Sequence, residues 1–366
     1  MPAERTDSRE GFSTHSVRLA WILAAAYLLV IVYASLQPFQ GWRPPPAEIL
    51  GFLAAPWPRY ITLADVAVNF AAYVPLGLLL SVVLGARLGP ARGAVAATLA
   101  ATLLCLAMEV VQTFLPSRIA SNVDLLANSL GALVGAMAAP LLAPSRRIGG
   151  KLHALRHRAF VEGMAADAGL IVAGLWLVAQ FHPTVQAFGA GNLRATFNLP
   201  SFAMHTPALA LGTEAAVALF NLLGVGLLLS AFMRPGGRLA LILGGVLGAV
   251  TAIQLFTAVA LVQSPAPFTW LTPGVLAGVA AGAALLAAGW RLPRRAQLAL
   301  AVACIVMATA AINLAPDNPY QNLPARLLAG SASHFLSFSS IVRALSELWP
   351  LLAVGFLLYA ISRRGR

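Results

Sequence analysis

Apolar residues fill ten long stretches of the chain, approximately 17–37, 65–85, 93–115, 123–143, 165–182, 211–233, 238–262, 271–290, 296–314 and 341–361. A bilayer's hydrocarbon core is about 30 Å thick and takes about 20 residues of α-helix to cross. Lipid offers no hydrogen bonds, so a segment this apolar has to satisfy its own backbone, which favours the helix. The pattern therefore predicts an all-α, polytopic transmembrane bundle of about ten helices. Pro75, Gly77 and Pro350 fall inside these stretches, where membrane helices tolerate them; Pro75 and Gly77 are expected to shape the second helix.

Composition removes the soluble alternative. The chain is 59% hydrophobic and 10% charged, with a mean hydropathy of +0.81, whereas a soluble domain is roughly 45–50% apolar and 25% charged. The net charge of +12 does not point to nucleic acid, because the Arg residues lie between apolar runs and not on one polar face. With the N-terminus placed in the cytoplasm, 18 of the 24 Lys and Arg fall in cytoplasmic segments. Arg5, Arg87, Arg146, Lys151, Arg234, Arg291 and Arg363 are among them. Every inside loop is then basic, as the positive-inside rule requires, and adding or removing one helix would spoil the alternation. The expected location is a membrane crossed many times, with both termini cytoplasmic and membrane lipids as partners. Residues 1–16 form a polar tail, and the first apolar run reads as a retained helix, not a cleaved signal peptide.

The segments between helices differ in kind. Residues 38–64 are rich in Pro and Trp, and 183–210 and 315–340 are long with scattered aromatics; all three are expected at the membrane–water interface. Residues 144–164 form a basic cytoplasmic linker, for which anionic lipid is the expected contact. Its His153 and His157 are four apart and read as a solvated or headgroup-facing pair, while His182, His205 and His334 are scattered. Cys105 and Cys304 lie in apolar runs and read as packing residues. Arg343 and Glu347 have the spacing of a local ion pair.

An internal repeat is also visible. Residues 65–81 match 214–230 without a gap at an offset of 149. Gln112 and Phe114 resemble Gln254 and Phe256, and Gly131 and Gly135 resemble Gly278 and Gly282. The expected organisation is a four-helix unit over 17–143, a degenerate copy over 165–290 and two further helices in 291–366.

Ionisable groups within spanning helices are costly and are read first as functional. The first unit concentrates them. Asp65, Asn69 and Tyr73 follow at steps of four on one face of the second helix, and Glu109 and Gln112 share a face of the third. Arg118 follows in the loop, and Asp124 and Asn128 open the fourth helix above Gly131 and Gly135, a pair that admits close helix approach. These groups are expected to converge in the outer half of the membrane on one polar pocket. Glu109, Asp65 and Asp124 are the candidate catalytic carboxylates. Arg118, Asn69, Gln112, Asn128 and Tyr73 are the candidate ligand contacts. An ion-paired network that only holds the helices together is the alternative. In the second copy Asn69 becomes Ala218, Tyr73 becomes Leu222 and Glu109 becomes Thr251, which suggests one active unit and one scaffolding unit.

The ordered set Leu36-Gln37-Pro38-Phe39, Asp65-x-x-x-Asn69-x-x-x-Tyr73-x-Pro75-x-Gly77, Glu109-x-x-Gln112 and Arg118 through Asp124, Asn128, Gly131 and Gly135 resembles the VanZ-like family over roughly residues 20–143. The resemblance implies a multi-pass bacterial membrane protein of the cell envelope. It also implies a link to glycopeptide resistance, since the founding member is associated with low-level resistance to teicoplanin. Two functions fit the residues. One is a binding protein whose outward pocket holds a lipid-linked cell-wall intermediate or another anionic envelope component. The other is a membrane-embedded hydrolase or transferase acting on a lipid phosphate, with Glu109 as general acid or base; a transporter is a third reading. No phosphate-cradling Gly-rich loop, His-Glu-x-x-His or Gly-x-Ser-x-Gly occurs, and the sequence calls for no cofactor and no metal site.

Overall fold

Stretches of Leu, Ala, Val and Gly without interior charge become helices wherever they run long enough to close their own hydrogen bonds. The computed structural model describes residues 14–36, 39–44, 46–57, 63–182, 186–194, 206–234, 239–261, 264–315 and 333–362. These residues contain no β-strand, only an isolated bridge between Phe160 and Met233. Each of the ten expected apolar helices is present. Eight are long and apolar enough to cross a membrane; two, of 16 and 17 residues, are shorter. The chain divides into two compact units, Met1–Arg156 with Ala332–Ile341, and His157–Ser331 with Val342–Arg366.

In the first unit, α1 (Thr14–Leu36), α3 (Leu63–Leu88), α4 (Pro90–Gln112) and α5 (Asn122–Leu141) are the spanning helices, and α2 (Gly51–Ala54) is a single turn. Packing is closest between α3 and α5. A Cβ added at Gly131 would fall on the carbonyl oxygen of Phe70, one at Gly135 on that of Val74, and one at Gly77 on that of Ala132. Gly77 therefore serves the helix contact, beyond shaping its own helix. Ser81 adds a hydrogen bond from its hydroxyl to the Ala136 carbonyl, 3.0 Å. Tyr27 ties α1 to α3 through the Ala72 carbonyl, 2.8 Å. Helix α6 (Arg147–Ala159), the helical form taken by the basic linker, begins in this unit and runs past its boundary at Arg156.

In the second unit, α7 (Met164–Ala179), α8 (Pro207–Ala231), α9 (Leu239–Phe256), α10 (Pro273–Gly289), α11 (Arg294–Leu314) and α12 (Ser333–Ser362, from Val342 onward) surround a core that includes Trp176, Phe188, Phe232 and Trp349. A short π-helical turn, Thr257–Leu261, extends α9. Helices α8 and α10 also pack closely: a Cβ added at Gly278 would fall on the Ala215 carbonyl oxygen, and one at Gly282 would lie 3.1 Å from the Leu219 carbonyl oxygen.

One expected surface loop is partly an interior one. Ala187, Phe188 and Ala190 are buried in the core of the second unit. Irregular backbone is tolerated there because neighbouring groups satisfy it. Gln180 donates to the Gly189 carbonyl (3.0 Å), Asn313 donates to the Gly191 carbonyl (2.7 Å) and accepts from the Leu193 N–H (2.9 Å), and the Gly191 N–H reaches the Ser346 carbonyl (2.7 Å). Apolar patterning alone does not separate such a segment from a loop lying at the interface.

Candidate functional site

The polar residues of the first unit meet where α3 begins, α4 ends and α5 begins. Glu109 lies within the last turn of α4, and its carboxylate accepts the backbone N–H of Ser121, 2.8 Å. Ser121 is the N-cap of α5, and its hydroxyl accepts from the N–H groups of Val123 (3.2 Å) and Asp124 (3.4 Å). A helix N-terminus leaves backbone donors without intrahelical partners and carries partial positive charge. In a capping box, the acidic residue three positions after the cap would turn back to the cap N–H. Here Glu109 from another helix takes that place. The corresponding residue, Asp124, instead accepts from the Asn69 side chain on α3, 2.6 Å. Three helices are joined in this way around one serine.

Below this layer, Asn128 donates to the Cys105 sulfur, 3.1 Å, linking α5 to α4. Tyr73 is buried with Cys105, Ile31 and Leu76 in an apolar cluster. To the side, Gln112 donates to the Ser35 carbonyl (2.9 Å) and Arg118 to the Ala34 carbonyl (3.2 Å). Both therefore satisfy carbonyls in the last turn of α1, groups that the helix itself leaves open. Burial pushes the Arg118 guanidinium below its ordinary value, though an Arg so placed still carries its charge. Glu109, Gln112, Arg118, Asp124 and Asn128 are all buried. Asp65 stands in the first turn of α3, but its side chain lies outside the described residues, as do Gln37 and Pro38.

Two acceptors in this cluster are left over. The side-chain oxygens of Gln112 and Asn128 are buried and have no hydrogen-bond partner among the described residues. An unmade buried hydrogen bond costs about 1–3 kcal/mol. The cluster as folded is thus short of donors.

Residues 6–143 match the family model described as VanZ/LLP1. These residues form a VanZ-like domain. No curated protein and no solved structure matches the chain. The VanZ/LLP1 match ends at residue 143, so the second unit is described by its own geometry alone.

The VanZ-like domain uses residues that the polar pattern did not single out. Ser121 is the central one. Its signal was available, because Ser121-Asn122-Val123-Asp124 has the spacing of a helix start. Tyr27, Ser81 and Cys105 join helices through bonds that no local pattern announces. The Pro- and Trp-rich segment folds over the same end of the domain: the Arg43 N–H reaches the Phe114 carbonyl (2.9 Å), and Asn122 donates to the Ala55 carbonyl (2.7 Å). Trp42 and Trp57 remain exposed there.

Elsewhere, His157 Nδ1 lies 2.7 Å from Glu162, which also accepts from Arg234 at 2.9 Å. Arg343 and Glu347 form the expected pair at 2.8 Å.

Proposed function

We propose that this chain is a bacterial inner-membrane protein of the cell envelope, with both termini cytoplasmic. Its VanZ-like domain would bind the headgroup of a lipid-linked envelope component at the outward end. The observation that carries this reading is the pair of buried acceptor oxygens of Gln112 and Asn128, without a partner among the described residues, in the same cluster as Glu109, Asp124 and Arg118. Hydroxyl and amide donors of a sugar-bearing headgroup would complete them, and the guanidinium of Arg118 suits a phosphate. Asn69 holds Asp124 in place for such a ligand. Asp65 and Tyr73 belong to the proposed contacts by their helical spacing from Asn69. Lowered sensitivity to a glycopeptide such as teicoplanin is the cellular consequence we attach to this reading.

We also infer that residues 165–290 are a degenerate copy that supports the first unit. Thr272 caps α10 as Ser121 caps α5, and Thr272 donates to Glu214 at 2.5 Å. Glu214 lies 149 positions after Asp65. The position of Asn69, however, is taken by Ala218.

Native mass spectrometry of the purified chain with a polyprenyl-diphosphate-linked disaccharide tests the headgroup reading. One copy should be retained saturably. Asn128→Leu and Arg118→Ala should each weaken retention about tenfold, the worth of about 1.4 kcal/mol. Retention no better than that of phosphatidylglycerol, or unchanged in both variants, contradicts it. Turnover of the probe that disappears in Glu109→Gln would replace binding by the hydrolase or transferase reading, in which Glu109 is the general acid or base.

A further inference from the structure

Helix α6 carries an exposed apolar face. Ile148, Leu152 and Leu155 follow at steps of four and three, so they stack into one stripe. Each is about half exposed, at 56%, 52% and 53%. Helical spacing puts Arg147, Lys151 and Arg158 along one flank of that stripe and Arg156 along the other. About a quarter turn from the stripe, on the flank of Arg156, Gly149 is buried, and an added Cβ would fall on the carbonyls of Leu142 and Ala143. That glycine seats the start of α6 against the end of α5 and leaves the apolar stripe exposed.

The height of α6 follows from α5. The polar cluster sits at the Asn122 end of α5, and 20 residues of helix carry the chain about 30 Å to Leu141. This is one hydrocarbon thickness, so α6 lies at the opposite membrane boundary from the carboxylates. With 13 residues it is about 20 Å long and does not span. A short helix at that level, with an apolar stripe between basic flanks, has the form of a helix lying in the plane of the interface. Its sequence holds Arg147, Lys151, Arg156 and Arg158 and no acidic residue. Glu162, just beyond its end, is engaged by His157 and Arg234.

We infer that α6 is a membrane-surface helix that buries Ile148, Leu152 and Leu155 among acyl chains and binds anionic lipid headgroups through Arg147, Lys151 and Arg158. It ties the end of the VanZ-like domain to an acidic leaflet whatever the polar cluster at the other end holds. The contact is electrostatic as well as apolar, so it weakens with salt.

The test places an environment-sensitive fluorophore on Leu152→Cys, and in a second preparation on Leu155→Cys, in the full chain. Wild-type protein labelled in parallel gives the background from Cys105 and Cys304, which are buried. The protein is reconstituted in nanodiscs of phosphatidylcholine alone or with about one third phosphatidylglycerol. Quenching by acrylamide, a neutral water-soluble quencher, is expected to be at least twofold weaker in the discs with phosphatidylglycerol. That protection should be lost in 0.5 M salt and in the Arg147→Gln/Lys151→Gln/Arg158→Gln variant. Equal quenching in the two lipids overturns the inference, as does protection that survives removal of all three charges. Neither outcome bears on headgroup binding by Asn128 and Arg118, which the retention measurement reads separately.

Discussion

Gly135→Leu should leave almost no folded protein to purify, and Gly135→Ala should lower stability by about 1–3 kcal/mol, the usual cost of overpacking a filled core. The reason is the nature of the neighbour. The first atom a Cβ would meet is the Val74 carbonyl oxygen, followed by the Val74 carbonyl carbon at 2.8 Å and the Leu78 nitrogen at 2.9 Å. All three belong to the backbone of α3, so no side-chain rotation relieves the clash and the two helices must part. Parting them also strains the Ser81–Ala136 bond and the Asn69–Asp124 bond, which cross the same pair of helices. Gly244 is the control, since nothing lies within 4 Å of a Cβ built there, and Gly244→Ala should melt with the wild type. Thermal melts in detergent, read by size exclusion, make the comparison. A Gly135→Leu protein that melts beside the Gly244→Ala control would mean that α3 and α5 do not pack in this way.

Glu109→Ala should be the most damaging change among the polar residues, at about 2–4 kcal/mol. It leaves the Ser121 N–H buried without its acceptor, worth about 1–3 kcal/mol. It also removes a buried side chain beside the N-terminus of α5, and the space left behind adds to the loss. Glu109→Gln keeps an acceptor oxygen and should lose roughly half as much. Neither variant carries a charge, so the difference between them isolates the acceptor and the side-chain volume that Gln keeps. Asp124→Ala should cost less, and in a double-mutant cycle with Asn69→Ala the two changes should couple by about 1 kcal/mol, because they share one bond. Equal melting of Glu109→Ala and wild type would show that this carboxylate does not hold the start of α5.

Much of this was legible in the spacing of residues. Steps of three and four put Glu109 with Gln112 and Asp124 with Asn128, and the structure brings those faces together. The glycines on α5 signalled close approach, and they provide it. What the sequence left open is which atom bonds which. Arg118 and Gln112 were expected to face a ligand, and one nitrogen of each also donates to a carbonyl of α1, that of Ala34 and that of Ser35. That choice depends on where α1 ends relative to α4, a matter of tertiary register with no local sequence mark. Asp124 at the third position of α5 would turn back on its own cap by local rules, and only the arrival of Glu109 from α4 redirects it to Asn69. The buried run around Phe188 was hidden for a related reason. Its backbone is satisfied by Gln180 and Asn313, which lie nine and 122 positions from their partners.

The sidedness of the VanZ-like domain underlies the whole functional reading, and thiol accessibility in intact cells measures it directly. Ile119, 70% exposed beside Arg118, marks the end that holds the carboxylates, and Lys151, exposed on α6, marks the other. A membrane-impermeant maleimide should label Ile119→Cys in intact cells and Lys151→Cys only after the membrane is opened. The reverse pattern would place the polar cluster in the cytoplasm and contradict a site for an outward-facing headgroup.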